Sequence, residues 1–239
     1  MNAAIVALGL ATAISIIIIG LSIFRNGSQS NLSQLETYLY QDNSNLEEDL
    51  NDILAFIPLD DVKRLIHSYA SYDKQINETI TFINDMKSYI IIEFKKLPNI
   101  QLIHRVLQKN GLKIKYWRDE IHEFWNNIPP YENTINNHNS YGGLTTMINA
   151  ILNKIQIQEL HILLCSKVIE SRSFRHFILL LMSKEFDELC RGIEESRELQ
   201  RLFHWAKEAD IEIIFAIELL THLHSYLTTK LYVDNFLIT

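Results

Sequence analysis

Seven residues, Asn51-Asp-Ile-Leu-Ala-Phe-Ile57, return 98 positions later as Asn149-Ala-Ile-Leu-Asn-Lys-Ile155, with four of the seven identical. The same offset lays Leu50, Val62, Leu65, Ile66 and Ile80 over Ile148, Leu160, Leu163, Leu164 and Ile178. Farther on one residue has been gained, and Ile100, Ile103, Val106, Leu112 and Ile114 match Leu199, Leu202, Trp205, Ile211 and Ile213 at an offset of 99. Helical periodicity alone gives scattered matches of this kind, but it rarely holds one register across some 80 residues. The chain therefore reads as two copies of one unit, residues 46–130 and 144–229, joined by a linker at 131–143. Short helices are marginal alone, so the two units are expected to form one domain with a shared core.

Within a unit the apolar spacing is helical. Leu50, Ile53, Leu54 and Ile57 run i, i+3, i+4, i+7, and Ile148, Ile151, Leu152 and Ile155 repeat the stripe. Pro58 stops the first helix because it has no N–H and crowds the preceding turn. Asp60 or Asp61 can cap the next helix, whose inner face is Val62, Leu65, Ile66 and Tyr69. Pro98 opens another helix and Gly111 closes it, following the usual asymmetry of helix ends. With 7 glycines and 4 prolines in the full chain, tight turns are few. The expected architecture is all-α, a duplicated repeat of about six short helices per unit and hence about twelve in total. Two stretches, Tyr89-Ile-Ile-Ile92 with Phe94 and Phe177 to Met182, are apolar on all sides. They must be central packed helices or line something greasy.

Residues Asn2 to Phe24 carry no charge, and Arg25 ends the run. Its apolar stretch is longer than an ordinary signal peptide needs and close to what spans a bilayer, so residues 1–28 read as a cleaved signal peptide or a retained signal anchor with a polar linker. Either way the bulk of the chain is expected outside the cytosol, secreted or held at a membrane. Asn26, Asn31 and Asn77 begin glycosylation triplets. With 22 Lys+Arg against 29 Asp+Glu and a net charge of −7, the chain has no basic stripe to meet nucleic acid. Two cysteines, Cys165 and Cys190, rule out a disulfide framework and read either as core residues or as one bridge.

Reaction chemistry finds little support. His222 and His224 are two apart and face different sides of a helix, and His161 with Cys165 is an isolated i, i+4 pair, short of the three or four ligands a zinc site needs. Asp119, Glu120, His122 and Glu123 interleave with Trp117, Ile121 and Phe124 as a solvated face does. His67 and His104 fit helix boundaries, and Trp117, Trp125 and Trp205 fit the core. No phosphate-cradling glycine loop and no nucleophile elbow is present. The reading is of a non-enzymatic protein without metal or cofactor.

Three stretches point to a family. Asp52-Ile-Leu-Ala-Phe-Ile-Pro-Leu-Asp-Asp-Val62, Leu107-Gln-Lys-Asn-Gly-Leu112 followed by Trp117 and Ile121-His-Glu-Phe124, and Ile128-Pro-Pro130 resemble the insect-allergen-related repeat, which includes cockroach midgut allergens, microvillar proteins and nitrile-specifier proteins. The second copy is degenerate, with Gln156 and Gln158 at the proline and aspartate positions and Asp210 in place of the glycine. The resemblance implies a capsule of two six-helix units closed around an apolar cavity for fatty acids or phospholipids, in a secreted gut protein. Association with a membrane surface or the peritrophic matrix is a further implied partner, and a detoxification role that alters the products of plant-toxin hydrolysis is the alternative. If so, equivalent faces of the two units supply the lining: Ile53, Ile57, Ile66, Ile83, Ile91, Phe94, Ile103 and Val106 from the first. The second supplies Ile151, Ile155, Leu164, Leu181, Cys190, Ile193, Leu202 and Trp205.

Overall fold

The computed structural model describes residues 45–132 and 142–211, together with Ser225. Among the described residues there are ten α-helices and no strand. The first copy holds α1 (Leu46–Ala55), α2 (Leu59–Tyr72), α3 (Lys74–Lys96), α4 (Ile100–Lys109) and α5 (Ile114–Asn126). The second holds α6 (Gly143–Leu152), α7 (Ile157–Glu170), α8 (Arg172–Leu181), α9 (Lys184–Glu195) and α10 (Arg197–Glu208).

The helix boundaries carry the sequence offset. α2 and α7 begin and end 98 residues apart, and so do the starts of α3 and α8. The end of α9 stands 99 residues after the end of α3, so the gained residue falls between those points. There the second copy breaks at Met182-Ser183, where Ser183 accepts the Phe186 N–H at 3.2 Å and caps α9. The first copy has no glycine or proline to interrupt it, and α3 runs unbroken for 23 residues. That continuity gives residues 46–130 five helices where the spacing predicts about six short ones.

The caps repeat as well. Asp73 accepts the Ile76 N–H at the start of α3, and Ser171, 98 residues on, accepts the Phe174 N–H at the start of α8. At the end of α4 the Leu112 N–H donates to the Leu107 carbonyl at 3.1 Å and the Gly111 N–H to Gln108 at 3.0 Å. α10 ends with the same pair of bonds, Ile211 to Ala206 and Asp210 to Lys207. These are Schellman motifs, which need a left-handed residue after the last turn. Gly111 supplies it with φ +91°, and Asp210 adopts φ +58° although it is not glycine. The second copy thus keeps the turn and tolerates the strain. Two expected caps differ: α2 starts at Leu59 with Pro58 at the cap, leaving Asp60 and Asp61 in the first turn, and α4 starts at Ile100, two residues after Pro98. The fixed φ of Pro58 already suits a helix entrance, so no side-chain cap is needed there.

The two copies exchange helices. α1 packs on α7 and α8 of the second copy, and α6 packs on α2 and α3 of the first. Likewise α10 packs on α3, and α4 packs on α9. Every one of these contacts has its counterpart when the copies are interchanged. Side chains mark the symmetry: Tyr89 of α3 donates to Glu198 of α10 at 2.7 Å, and at positions 99 residues removed Asn99 of α4 donates to Glu188 of α9 at 2.7 Å. Each α2–α3-type hairpin is therefore covered by helices from the other copy. One buried cluster runs through both, including Leu50, Ile53, Ile103, Leu107, Ile151, Leu160, Leu164, Phe174 and Ile178. Gly192 lets α9 approach the start of α4, since a Cβ there would stand 2.6 Å from Pro98 Cδ.

Candidate functional site

The apolar residues assigned to the inner faces do not all lie in one place. Ile53, Ile57, Ile103, Val106, Ile151, Ile155, Leu164 and Leu181 belong to the shared cluster, and Ile66, Phe94 and Ile193 pack against it from half-buried positions. Leu202 is buried outside that cluster, and Ile83, Ile91 and Cys190 are half-buried. Trp205 corrects the expectation of a core tryptophan: it is 42% exposed, with its ring 6.4 Å from that of Tyr89. α10 packs on α3, and the Trp205 ring meets that helix at Tyr89. Trp117 is buried as expected, its indole N–H donating to Glu47 at 3.0 Å. Trp125 lies outside the described side chains.

The two stretches that are apolar on all sides fare differently. In α8, Phe177, Ile178, Leu180 and Leu181 are buried, while Leu179 and Met182 reach solvent. In α3, Ile83, Ile90, Ile91 and Phe94 are only half-buried and Ile92 is 53% exposed. Spacing could not separate the two, since it does not say which neighbours cover a helix.

Two of the buried carboxylates, Asp49 and Asp73, join the copies. Asp49 of α1 accepts the Ser173 hydroxyl at 3.0 Å, the Ser171 hydroxyl, and the Lys167 ammonium at 2.9 Å. Lys167 also reaches Asp52. Burial opposes the Lys167 charge, but the hydrogen bonds it donates to Asp52 and Asp49 outweigh that and raise its pKa. On the symmetric side Asp73 accepts the N–H of Gly143, the first residue of α6, at 3.0 Å. Glu47 accepts the backbone N–H of Lys113 at 2.8 Å as well as the Trp117 indole, closing the start of α5. Sequence reading missed these links because the partners lie 66 to 124 residues away; the local signals are first-turn acidic positions for Glu47 and Asp49 and an N-cap for Asp73.

Candidate reactive groups stand apart. Cys165, half-buried against the shared cluster, has its Sγ 3.7 Å from Nε2 of the exposed His161, and no disulfide joins Cys165 to Cys190. Burial, with Asp187 and Glu194 nearby, pushes the Cys190 thiol up to about 11. Burial lowers the pKa of His104, and burial with Arg172 and Arg175 lowers that of His176. His67 is half-buried. Asp119 and Glu123 are exposed, whereas the Glu120 and His122 side chains, His222 and His224 lie outside the description. Among the described residues no three His, Cys, Asp or Glu side chains form a metal-holding group, and no helix is long and apolar enough to cross a membrane.

Asn77 stands in the second turn of α3 rather than in a loop. Its amide donates to the Ala70 carbonyl at 3.3 Å, and Thr79 is buried with its hydroxyl on Gln75. A glycan at Asn77 would break the first bond and press on the end of α2. The leader, Asn26, Asn31 and most of the linker lie outside the described residues.

Residues 45–216 match the family model described as insect allergen related repeat, nitrile-specifier detoxification. "Protein G12" of Anopheles gambiae is 20% identical over 179 residues, covering 73% of this chain and 85% of that protein. The match takes in the first copy, most of the second and all ten described helices, and the chain belongs to the insect allergen related repeat family.

Proposed function

We propose that this chain is a secreted, non-enzymatic carrier of acyl lipid, fatty acid or phospholipid, for an insect gut or similar epithelium. The observation that carries this reading is α3, whose apolar side chains from Ile83 to Phe94 remain half-buried on several faces with Ile92 exposed. A helix of that composition exposes surface that water disfavours, and an acyl chain laid along it would cover that surface at about 0.8 kcal/mol per methylene. Family membership supports the same reading. In its full form the proposal is a capsule of two units, about twelve helices in all, with the exchanged helices forming its walls.

Titration of the full-length protein, stripped of endogenous lipid, with a fluorescent fatty acid tests this. Saturable binding that Phe94→Asp abolishes while the fold persists is the expected result, because a lone carboxylate beside the apolar cluster is costly to bury and repels an acyl chain. A folded wild type that binds no probe would rule out the carrier.

A further inference from the structure

Trp205 is out of place for a tryptophan in a repeat. Its counterpart in the first copy, Val106, is buried in the shared core, whereas Trp205 is 42% exposed and tilted 44° against the Tyr89 ring. Tyr89 donates to Glu198 Oε2 at 2.7 Å, and Arg201 pairs with the same oxygen at 3.0 Å. Oε1 takes neither bond. The Glu198 contact, its largest influence, raises the Tyr89 pKa, so the ring stays a neutral phenol at physiological pH.

The Tyr89 hydroxyl fastens α3 to α10, a structural role that does not call for the Trp205 ring. On the symmetric side the equivalent bond, Asn99 to Glu188, joins α4 to α9 through an amide donor, and the position matching Arg201 is Leu102. The additions in the second copy are two aromatic faces, one of them open to solvent, a carboxylate and a guanidinium that is 60% exposed. An organic cation resting on the pair can stand within about 6 Å of both ring centroids, the range over which a ring face attracts it. Glu198 then neutralises the cation, and Arg201 can pair with an adjoining phosphate. Tyr89 also begins the apolar stretch of α3 whose Ile90 and Ile91 are half-buried.

We infer that Trp205, Tyr89, Glu198 and Arg201 form a headgroup site for a quaternary ammonium joined to a phosphate, the phosphocholine of a phospholipid whose acyl chain lies along α3. The acyl half of this assignment rests on the carrier reading; the headgroup half does not. The site makes the favoured cargo zwitterionic lipid rather than free fatty acid.

The test uses full-length, lipid-stripped protein and its Trp205→Ala and Trp205→Phe variants, each checked for an unchanged thermal melt. Calorimetry with free phosphocholine should show binding that weakens roughly five- to thirtyfold in Trp205→Ala and is largely kept in Trp205→Phe. In displacement of a fluorescent fatty acid, lysophosphatidylcholine should compete at lower concentration against wild type than against Trp205→Ala, while palmitate competes equally against both. Equal competition by lysophosphatidylcholine in both proteins, with palmitate active, overturns the headgroup site and leaves the carrier standing. Phosphocholine binding lost in Trp205→Ala from a protein that binds no fatty acid supports the site and removes the carrier. No phosphocholine binding to wild type overturns the site in every case.

Discussion

Replacing Asp49 with alanine should destabilise the fold by about 3 kcal/mol, because this carboxylate fastens the first helix of one copy to the second and third helices of the other. Three donors converge on it, the hydroxyls of Ser171 and Ser173 and the ammonium of Lys167, and its side chain is 8% exposed. A hydrogen bond to a charged group is worth about 1.5–3 kcal/mol, but simple addition overstates the loss. Lys167 keeps Asp52, and the two serine oxygens, 3.2 Å apart, can bond each other. What remains is the buried, broken ion pair and the lost α1 anchor, at the lower edge of the about 3–5 kcal/mol seen when one partner of a buried pair is removed. For a chain of this size that corresponds to a fall of about 6–12 °C in Tm. Asp49→Asn keeps acceptors for the serines and should cost roughly half as much. Urea denaturation of both variants, with a double-mutant cycle through Lys167→Met, measures these quantities. A change below about 1 kcal/mol for Asp49→Ala would refute the idea that this node holds the exchanged helix in place.

The exchange also predicts that residues 46–130 alone will not melt cooperatively as a monomer, since α2 and α3 would lack α6 and α10; native-like stability of that fragment by calorimetry would contradict it. The paired helix ends make opposite predictions: Gly111→Ala should cost about 1–2 kcal/mol, with its new Cβ 2.4 Å from Asn45 Oδ1, whereas Asp210→Gly should stabilise by up to about 1 kcal/mol, and chemical denaturation reads both signs. With its thiol pushed up to about 11, Cys190 should carry roughly a hundredfold less thiolate at pH 8 than an ordinary thiol, so iodoacetamide should modify it far faster in urea than in the folded chain. The same shift means that the unfolded thiol ionises first, and this contribution to stability should be lost as pH rises from about 9 to about 11.

Much of this fold could be read from apolar spacing. The stripe Leu50, Ile53, Leu54 and Ile57, the stop at Gly111 and the register shift from 98 to 99 correspond to α1, a Schellman end and the break at Met182-Ser183. These are local properties, set by residues three to six positions apart. What covers each stripe is not local, so the exchange of α1 and α6 between copies left no mark in the spacing. Nor does spacing single out Gly192, where a Cβ would meet Pro98 of the other copy. Self-similarity groups Ile53, Ile103, Ile151 and Leu164 on equivalent helix faces, and the structure holds all four in one buried cluster. The same argument misplaced Trp205: alignment with Val106 carried the position but not the burial, and the ring lies 42% exposed beside Tyr89.

Organic extraction and mass spectrometry of the native protein, purified without detergent, test the carrier most directly. The account predicts acyl lipid in near-stoichiometric amount, enriched in phosphocholine species over free fatty acid. A protein that melts cooperatively yet yields no lipid and binds no fatty acid probe would contradict it.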